Sequence, residues 1–182
     1  MLTLDFNPFP VITTDRLILR EIGYLDAGEI FVFRSDPRIM TYLDRTPDMS
    51  IEQAHQFIAH VKEAQNNNDS VMWGISLKTD HKLIGTCGFW RIEKAHHRAE
   101  IGYTLHPDHQ GKGYMNEATA AVLSHGFNKM NLHSVEANVN PNNVASISLL
   151  EKNGFVKEGH FKENWFHDGK FSDSAIYSLV RS

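Results

Sequence analysis

The sequence predicts a mixed α/β fold, on three observations. Apolar residues recur at helical spacing over Ile51, Ala54, Phe57, Ile58, Val61 and Ala64, and again over Met115, Ala118, Val122, Phe127 and Met130. Between them, from Val71 to Leu105, the texture changes to that of β-strands. A glycine-containing loop, Gln110-Gly111-Lys112-Gly113, then separates a strand from a helix, and another strand follows. If the strands on either side of that helix are parallel neighbours, the crossover must be right-handed.

Each element has its own local reason. Arg16-Leu17-Ile18-Leu19-Arg20 reads as a short strand, and residues from Asp26 to Arg34 as a helix. Asp36-Pro37 reads as an N-cap followed by proline at the first helical position. Ser50 and Gln53 make a capping box for a helix over about 51–67. The polar run Asn66-Asn67-Asn68-Asp69-Ser70 reads as a loop. Strands follow over Val71–Leu77, Leu83–Ile92 and Arg98–Leu105, with a hairpin-like turn at Asp80-His81. The pattern breaks at Pro107 and resumes as a helix of about four turns from Met115. Ser134–Val139 reads as a strand. Pro141-Asn142-Asn143 opens another helix that Gly154 stops. Phe155–Phe161 and Phe171–Val180 close the chain as strands.

Composition narrows the function classes. A chain of 182 residues, without repeats or a Pro/Gly/Ser-rich linker, is read as a single domain spanning 1–182. Its 18 basic and 22 acidic residues give a net charge of −4, which argues against nucleic acid or an anionic membrane as the main partner. The single cysteine, Cys87, fits a reducing compartment and reads as a small buried hydrophobe. The N-terminal residues lack a signal-peptide pattern, and no apolar run approaches a membrane span, so a cytoplasmic protein is expected. His106 and His109, and His96-His97, lack zinc-site companions, and no metal is expected.

The loop carries the chemistry. Glycines there allow a tight turn and expose consecutive backbone N–H groups, and the helix behind adds free donors and a positive dipole end. Together they suit a phosphate or pyrophosphate. A P-loop would need Ser or Thr after Lys112, where Gly113 stands. A dinucleotide fingerprint would need glycine at Asn116, although Glu136 lies roughly where its ribose partner would fall. A turn that merely caps a helix fits the loop equally well.

Gln110-x-x-Gly113 resembles the acyl-CoA pyrophosphate loop of the GNAT N-acetyltransferase superfamily, with Met115 in place of its small final residue. The flanking Ala99–Leu105 and Asn116-Glu117-Ala118 agree. The segment from Asn143-Val144-Ala145-Ser146 to Glu151-Lys152-Asn153-Gly154-Phe155 is similar to the ribosomal-protein alanine N-acetyltransferase (RimJ/RimL-like) branch. So are Thr14–Arg20 and the end from Asp168-Gly169-Lys170-Phe171 through Asp173 to Tyr177-Ser178-Leu179. The resemblance implies a mostly antiparallel sheet flanked by helices, whose fourth and fifth strands form a splayed parallel pair. It implies acetyl-CoA as co-substrate, its pyrophosphate at Gln110, Gly111, Lys112, Gly113, Tyr114 and Met115. The pantetheine would lie along the backbone of Tyr103, Thr104 and Leu105, near the side chain of Asn143, which is also a good helix N-cap.

Acetyl transfer needs a neutral amine. At pH 7, deprotonation costs on the order of 1 kcal/mol for an α-amine and about 4.6 kcal/mol for lysine. The resemblance places a carboxylate, Glu100, where it would act as base through water; a strand Glu paired with Arg98 or another cation is the rival reading. The tyrosine acid found in many GNAT members is replaced by Leu150, and Ser146 is the candidate to hydrogen-bond the leaving thiolate, against a plain first-turn serine. Trp165, Phe166 and His167 read as a late loop that either borders the acceptor groove or simply packs. The expected activity is acetylation of a primary amine, best the N-terminal α-amine of a ribosomal protein. A small amine such as a polyamine or an aminoglycoside-like drug is the alternative acceptor. A non-catalytic acyl-CoA sensor is the rival class, and a homo-oligomer stays open.

Overall fold

Burial runs unbroken through Trp73–Ser76 and Leu83–Phe89 because different layers cover both faces of the sheet. The computed structural model describes residues 1–43 and 45–181. The first strands are β1 (Ile12–Thr13) and β2 (Leu17–Glu21), followed by helices α1 (Ala27–Ser35), α2 (Pro37–Met40) and α3 (Ile51–Asn66). Then come β3 (Val71–Leu77), β4 (Asp80–Glu93), β5 (Arg98–Leu105), α4 (Tyr114–Asn128) and β6 (Ser134–Val139). Helix α5 (Val144–Lys152), β7 (Val156–His167) and β8 (Lys170–Val180) complete the order. The eight strands form one sheet in the order β1-β2-β3-β4-β5-β6-β8-β7. Every neighbouring pair is antiparallel except β5–β6, which is parallel.

On one face, Leu17, Leu19, Val71, Trp73, Ile75, Cys87, Phe89 and Ile101 pack with Met115, Ala118, Val122 and Leu123 of α4 and Leu150 of α5. On the other, Ile22 and Leu83 pack with Ala27, Ile30 and Phe33 of α1 and Ala54 and Ile58 of α3, with Met72 against them. Adjacent residues of β3 thus enter opposite cores, as strand geometry requires. The buried Trp73 satisfies its indole N–H on the Pro10 carbonyl at 2.6 Å.

The capping signals read from the sequence are in place: the Ser50/Gln53 box opens α3, and Asp36 accepts from the Arg38 backbone N–H at 2.8 Å ahead of Pro37. Two expectations are corrected. The first hairpin turns at Lys78-Thr79, so Asp80 and His81 already belong to β4; Leu77 pairs directly with Asp80. Strand β7 runs six residues beyond Phe161, so Trp165, Phe166 and His167 are strand rather than loop. The turn that ends it is Asp168-Gly169, with φ of 47° and 73°, the left-handed pair that a two-residue hairpin demands. A register shift between Phe161 and Trp165 interrupts the ladder and hides this strand from a simple alternation test.

Two glycines test the packing. A Cβ on Gly88, in the middle of β4, would collide with the Val71 carbonyl and stand 2.6 Å from the Met72 Cα, whereas one on Gly28 in α1 meets nothing within 4 Å. Gly88→Ala should lower unfolding free energy by about 1–3 kcal/mol, through overpacking. Gly28→Ala should raise it by up to about 1 kcal/mol, through helix propensity. Urea unfolding of both variants checks the two signs.

Candidate active site

The site begins where β5 and β6 part. Their parallel pairing covers Arg98↔Ser134, Ala99↔Val135 and Glu100↔Glu136, and ends there. On its other side, β5 stays paired with β4 as far as Leu105↔Gly85. The backbone from Ile101 to Leu105 therefore has an open edge facing away from β4. At the same level β4 carries a bulge: Phe89 pairs with Ile101 and Arg91 with Glu100, leaving Trp90 as the extra residue. Bulges bend a strand and re-aim its side chains. Trp90 lies so close over β5 that a Cβ on Gly102 would be 3.2 Å from the indole.

Two cavities meet at this gap. One, of about 480 Å³, is lined by Gln110, Gly111, Gly113, Tyr114 and Met115 together with Thr104, Leu105 and Ser148. The other, of about 550 Å³, lies on the α1/α3 side and is lined by Phe33, Phe57, Met72, Trp90, Glu100 and Trp165, among others. Tyr42, Leu43, Tyr103, Thr104, Asn143 and Ser146 line both.

Gly111 and Gly113 have φ of 72° and 77°, which other residues adopt only with strain. Gly113 is the N-cap of α4 and makes no side-chain cap bond, so the first turn keeps donors for an anion. The loop is braced from below. Arg16 donates to the Glu117 carboxylate at 2.7 Å and to the Lys112 carbonyl at 2.9 Å, and lies over the Tyr114 ring at 4.6 Å. Thr14 Oγ1 donates to the same carboxylate at 2.6 Å. Lys112 itself turns away: its ammonium donates to the Asp108 carbonyl at 2.8 Å, and it does not line the cavity.

Asn143 does cap α5, its side-chain oxygen accepting from the Ser146 N–H at 3.1 Å. Its amide NH2 has no partner among the described residues, which leaves a donor facing both cavities. The Tyr103 hydroxyl and Ser146 Oγ are 2.7 Å apart at the shared boundary. Burial pushes the Tyr103 hydroxyl up to about 12, against the opposing bond from Ser146.

Glu100 is buried and takes Arg91 rather than Arg98 as its cation, at 2.9 Å. Arg98 pairs instead with Glu93 at 2.7 Å and Glu136 at 3.5 Å. Burial raises the Glu100 carboxyl above its ordinary range; Arg91 pulls it back, and Glu136 pushes it up again. Glu136 is thus engaged at the strand junction and does not line the glycine-loop cavity. Cys87 is fully buried, and desolvation holds its thiol up at about 12. His106 Nδ1 accepts from the Asp108 N–H at 3.2 Å. Among the described residues, no group of three or more His, Cys, Asp or Glu is placed to hold a metal ion.

Sequence reasoning gives no site role to Arg34, Tyr42, Leu43, Arg45, Phe57, Trp90 or Asp173, although all seven line the larger cavity. They come from α1, the following loop, α3, a bulge and β8, and no local spacing links them. Trp165 does border this cavity, from a strand.

Residues 16–156 match the acetyltransferase (GNAT) domain family. An uncharacterised N-acetyltransferase of Bacillus subtilis (strain 168), YoaA, is 38% identical over 173 residues, covering 95% of this chain and 98% of that protein. A spermidine N(1)-acetyltransferase of Vibrio cholerae is 28% identical, covering 92% and 94%. A ribosomal protein uS5 alanine N-acetyltransferase of Escherichia coli (strain K12) is 25% identical, covering 93% and 90%. Among solved structures, a GNAT-family acetyltransferase of Bacillus anthracis superposes with a TM-score of 0.84 at 27% identity, covering 94% and 98%. The ribosomal L7/L12 α-N-protein acetyltransferase RimL, solved with coenzyme A, gives 0.85 at 21% identity, covering 94% and 98%, which shows the shared fold. With a matching domain over most of its length, and relatives aligned nearly end to end, the chain belongs to the GNAT acetyltransferase family.

Proposed function

We propose that the protein moves the acetyl group of acetyl-CoA to the N-terminal α-amine of a ribosomal protein. The observation that carries the reading is the meeting of the two cavities at the open edge of β5, where Tyr103, Thr104, Asn143 and Ser146 face both. The smaller cavity suits CoA, with the pyrophosphate at the uncapped start of α4 and the pantetheine along Tyr103–Leu105. The larger one then admits the amine. Its nitrogen attacks the thioester carbonyl, the C–S bond breaks, and the electron pair leaves on sulfur.

In this reading Glu100 takes the amine proton through water, being a buried carboxylate on the acceptor wall. Ser146 receives the thiolate with a hydrogen bond, and Tyr103 supports it from 2.7 Å. A tyrosine near 12 is a weaker acid than a thiol of about 8.5, so its proton stays on oxygen and it acts as a donor only. The acceptor class rests on the α-amine arithmetic and on the uS5-alanine relative; the spermidine relative keeps a polyamine as the second reading. The chain is treated as one acetyltransferase domain, and no described helix is long and apolar enough to cross a membrane.

Three outcomes follow. Incubating candidate ribosomal proteins with the purified enzyme and acetyl-CoA should add one acetyl group at the N-terminus, read by intact mass and N-terminal fragmentation. Modification of lysines alone, or of spermidine in preference, would reject this acceptor.

Gly113→Asp should weaken CoA binding at least about tenfold in calorimetry, because a side chain strains the backbone at φ 77° and its Cβ would stand 3.4 Å from Arg16, bringing a carboxylate into the brace that holds the loop. Unchanged affinity in a folded variant removes the loop from the site.

Glu100→Gln should lower the rate by about 10²–10⁴ below the amine's own pKa. Raising the pH should restore part of it from near pH 8, since solvent then supplies free amine. In the wild type, the acidic limb should lie above the ordinary carboxylate range, because burial raises this group and the base works only when deprotonated. A loss that is uniform with pH means Glu100 serves the Arg91 ion pair instead.

A further inference from the structure

The acceptor cavity is lined by charges of both signs. Its titratable lining is Arg34, Tyr42, Arg45, Glu100, Tyr103 and Asp173. Glu100 and Asp173, the latter 2.7 Å from His160, supply negative charge suited to an ammonium. Arg34 and Arg45 supply positive charge that an amine has no use for.

Their only carboxylate partner among the described residues is Asp48, which is buried and accepts from Arg34 Nε at 2.6 Å. Arg45 Nη1 stands 3.6 Å from the other Asp48 oxygen, beyond hydrogen-bond reach. Among the described residues that nitrogen, which is buried, has no hydrogen-bond partner, and Arg45 Nη2 finds only the Met40 sulfur, a weak acceptor, at 3.5 Å. Arg34 lies over the Phe57 ring, 4.2 Å from its centre. Two guanidinium groups thus share one carboxylate among the described residues, and both of their side chains line the cavity, which leaves net positive charge on that wall.

Positive charge with a single shared counter-ion favours a further anion, and a guanidinium fork matches the two oxygens of a carboxylate. We propose that Arg34 and Arg45 form an anion subsite that binds a carboxylate carried by the acceptor itself, beside the amine to be acetylated. Burial together with the nearby Arg34 lowers the Arg45 pKa, as expected of a cation lacking its full complement of negative charge. The carboxylate comes from a free amino acid or from an acidic side chain next to a peptide N-terminus. Spermidine, with no anion, offers nothing to the two guanidinium groups. This inference rests on the N-acetyltransferase reading and sharpens its substrate class.

The test uses matched acceptors that differ in one carboxylate. Phenylalanine against phenylalanine amide probes the free amino acid. The serine-aspartate dipeptide amide against the serine-asparagine dipeptide amide probes the side chain. In at least one pair, kcat/KM for the acid should exceed that for the amide about tenfold, the effect of one charged hydrogen bond made or lost. Arg45→Gln should bring that ratio close to one, and Arg45→Lys should keep part of it. Calorimetry of the same pairs with CoA present reads the subsite without turnover. Acid preference in binding with no acetylation would support the subsite and sink the acetyltransferase reading. Equal kcat/KM and equal affinity within both pairs, in an enzyme that acetylates all four, would overturn the subsite alone.

Discussion

Everything in the site depends on β5 keeping one neighbour and losing the other. Up to Glu100↔Glu136 it is clamped between β4 and β6; beyond that only β4 remains. A strand edge with free N–H and C=O groups inside a sheet is normally costly, because buried backbone polar groups must be paired. It is tolerated here because the gap opens onto cavities on both sides. Such an edge is a template for one more extended chain, and in the proposed function the pantetheine arm takes that place. The bulge at Trp90 lies at the level where the strands separate, so the bend in β4 and the opening of the sheet coincide.

The ends of the gap are fixed by two different kinds of interaction. At the closed end, Glu93, Glu100 and Glu136 share Arg91 and Arg98, a network in which three carboxylates face two guanidinium groups. Burial keeps the Glu100 carboxyl raised against the pull of Arg91, which Glu136 only partly opposes. At the open end, the Arg16–Glu117 pair and Thr14 tie the start of the chain to α4, holding the glycine loop from behind. Glu117 places a negative charge in the first turn of α4, where the helix dipole favours it, and Arg16 offsets that charge close to the loop. Loop geometry therefore depends on residues about a hundred positions upstream.

Between these ends the two halves of the molecule do different work. The core formed by β2–β5 with α4 and α5 is continuous and apolar, and it carries the glycine loop, Asn143 and Ser146. The smaller core under α1 and α3 carries Phe33 and Phe57 along with Arg34, and its outer residues line the larger cavity. The glycine-loop cavity is thus built on the larger cluster, and the second cavity on a separate helical layer.

Local signals were sufficient for most elements and for the whole glycine loop. The Ser50/Gln53 box, Asp36-Pro37, Gly113 and the Asn143 cap are each defined within a few residues, because capping and left-handed turns are short-range physics. The turn of the loop and the Asn143 cap were legible for that reason, whereas Ser146 and Glu100 were singled out as candidates through the resemblance spread over most of the chain. The hairpin at Lys78-Thr79 and the length of β7 were not, since bulges break the two-residue period on which strand reading depends. Nor did the sequence reveal that Glu100 pairs with Arg91, that Tyr103 reaches Ser146, or that Arg34 and Arg45 face the same cavity as Glu100. Those contacts join residues from different elements, and only strand register and the packing of α1 and α3 on the sheet bring them together. The sequence by itself determined the helix caps and the left-handed glycine loop, because those features are short-range. The tertiary structure decided which side chains line the larger cavity, because that wall is made of long-range contacts that no local pattern encodes.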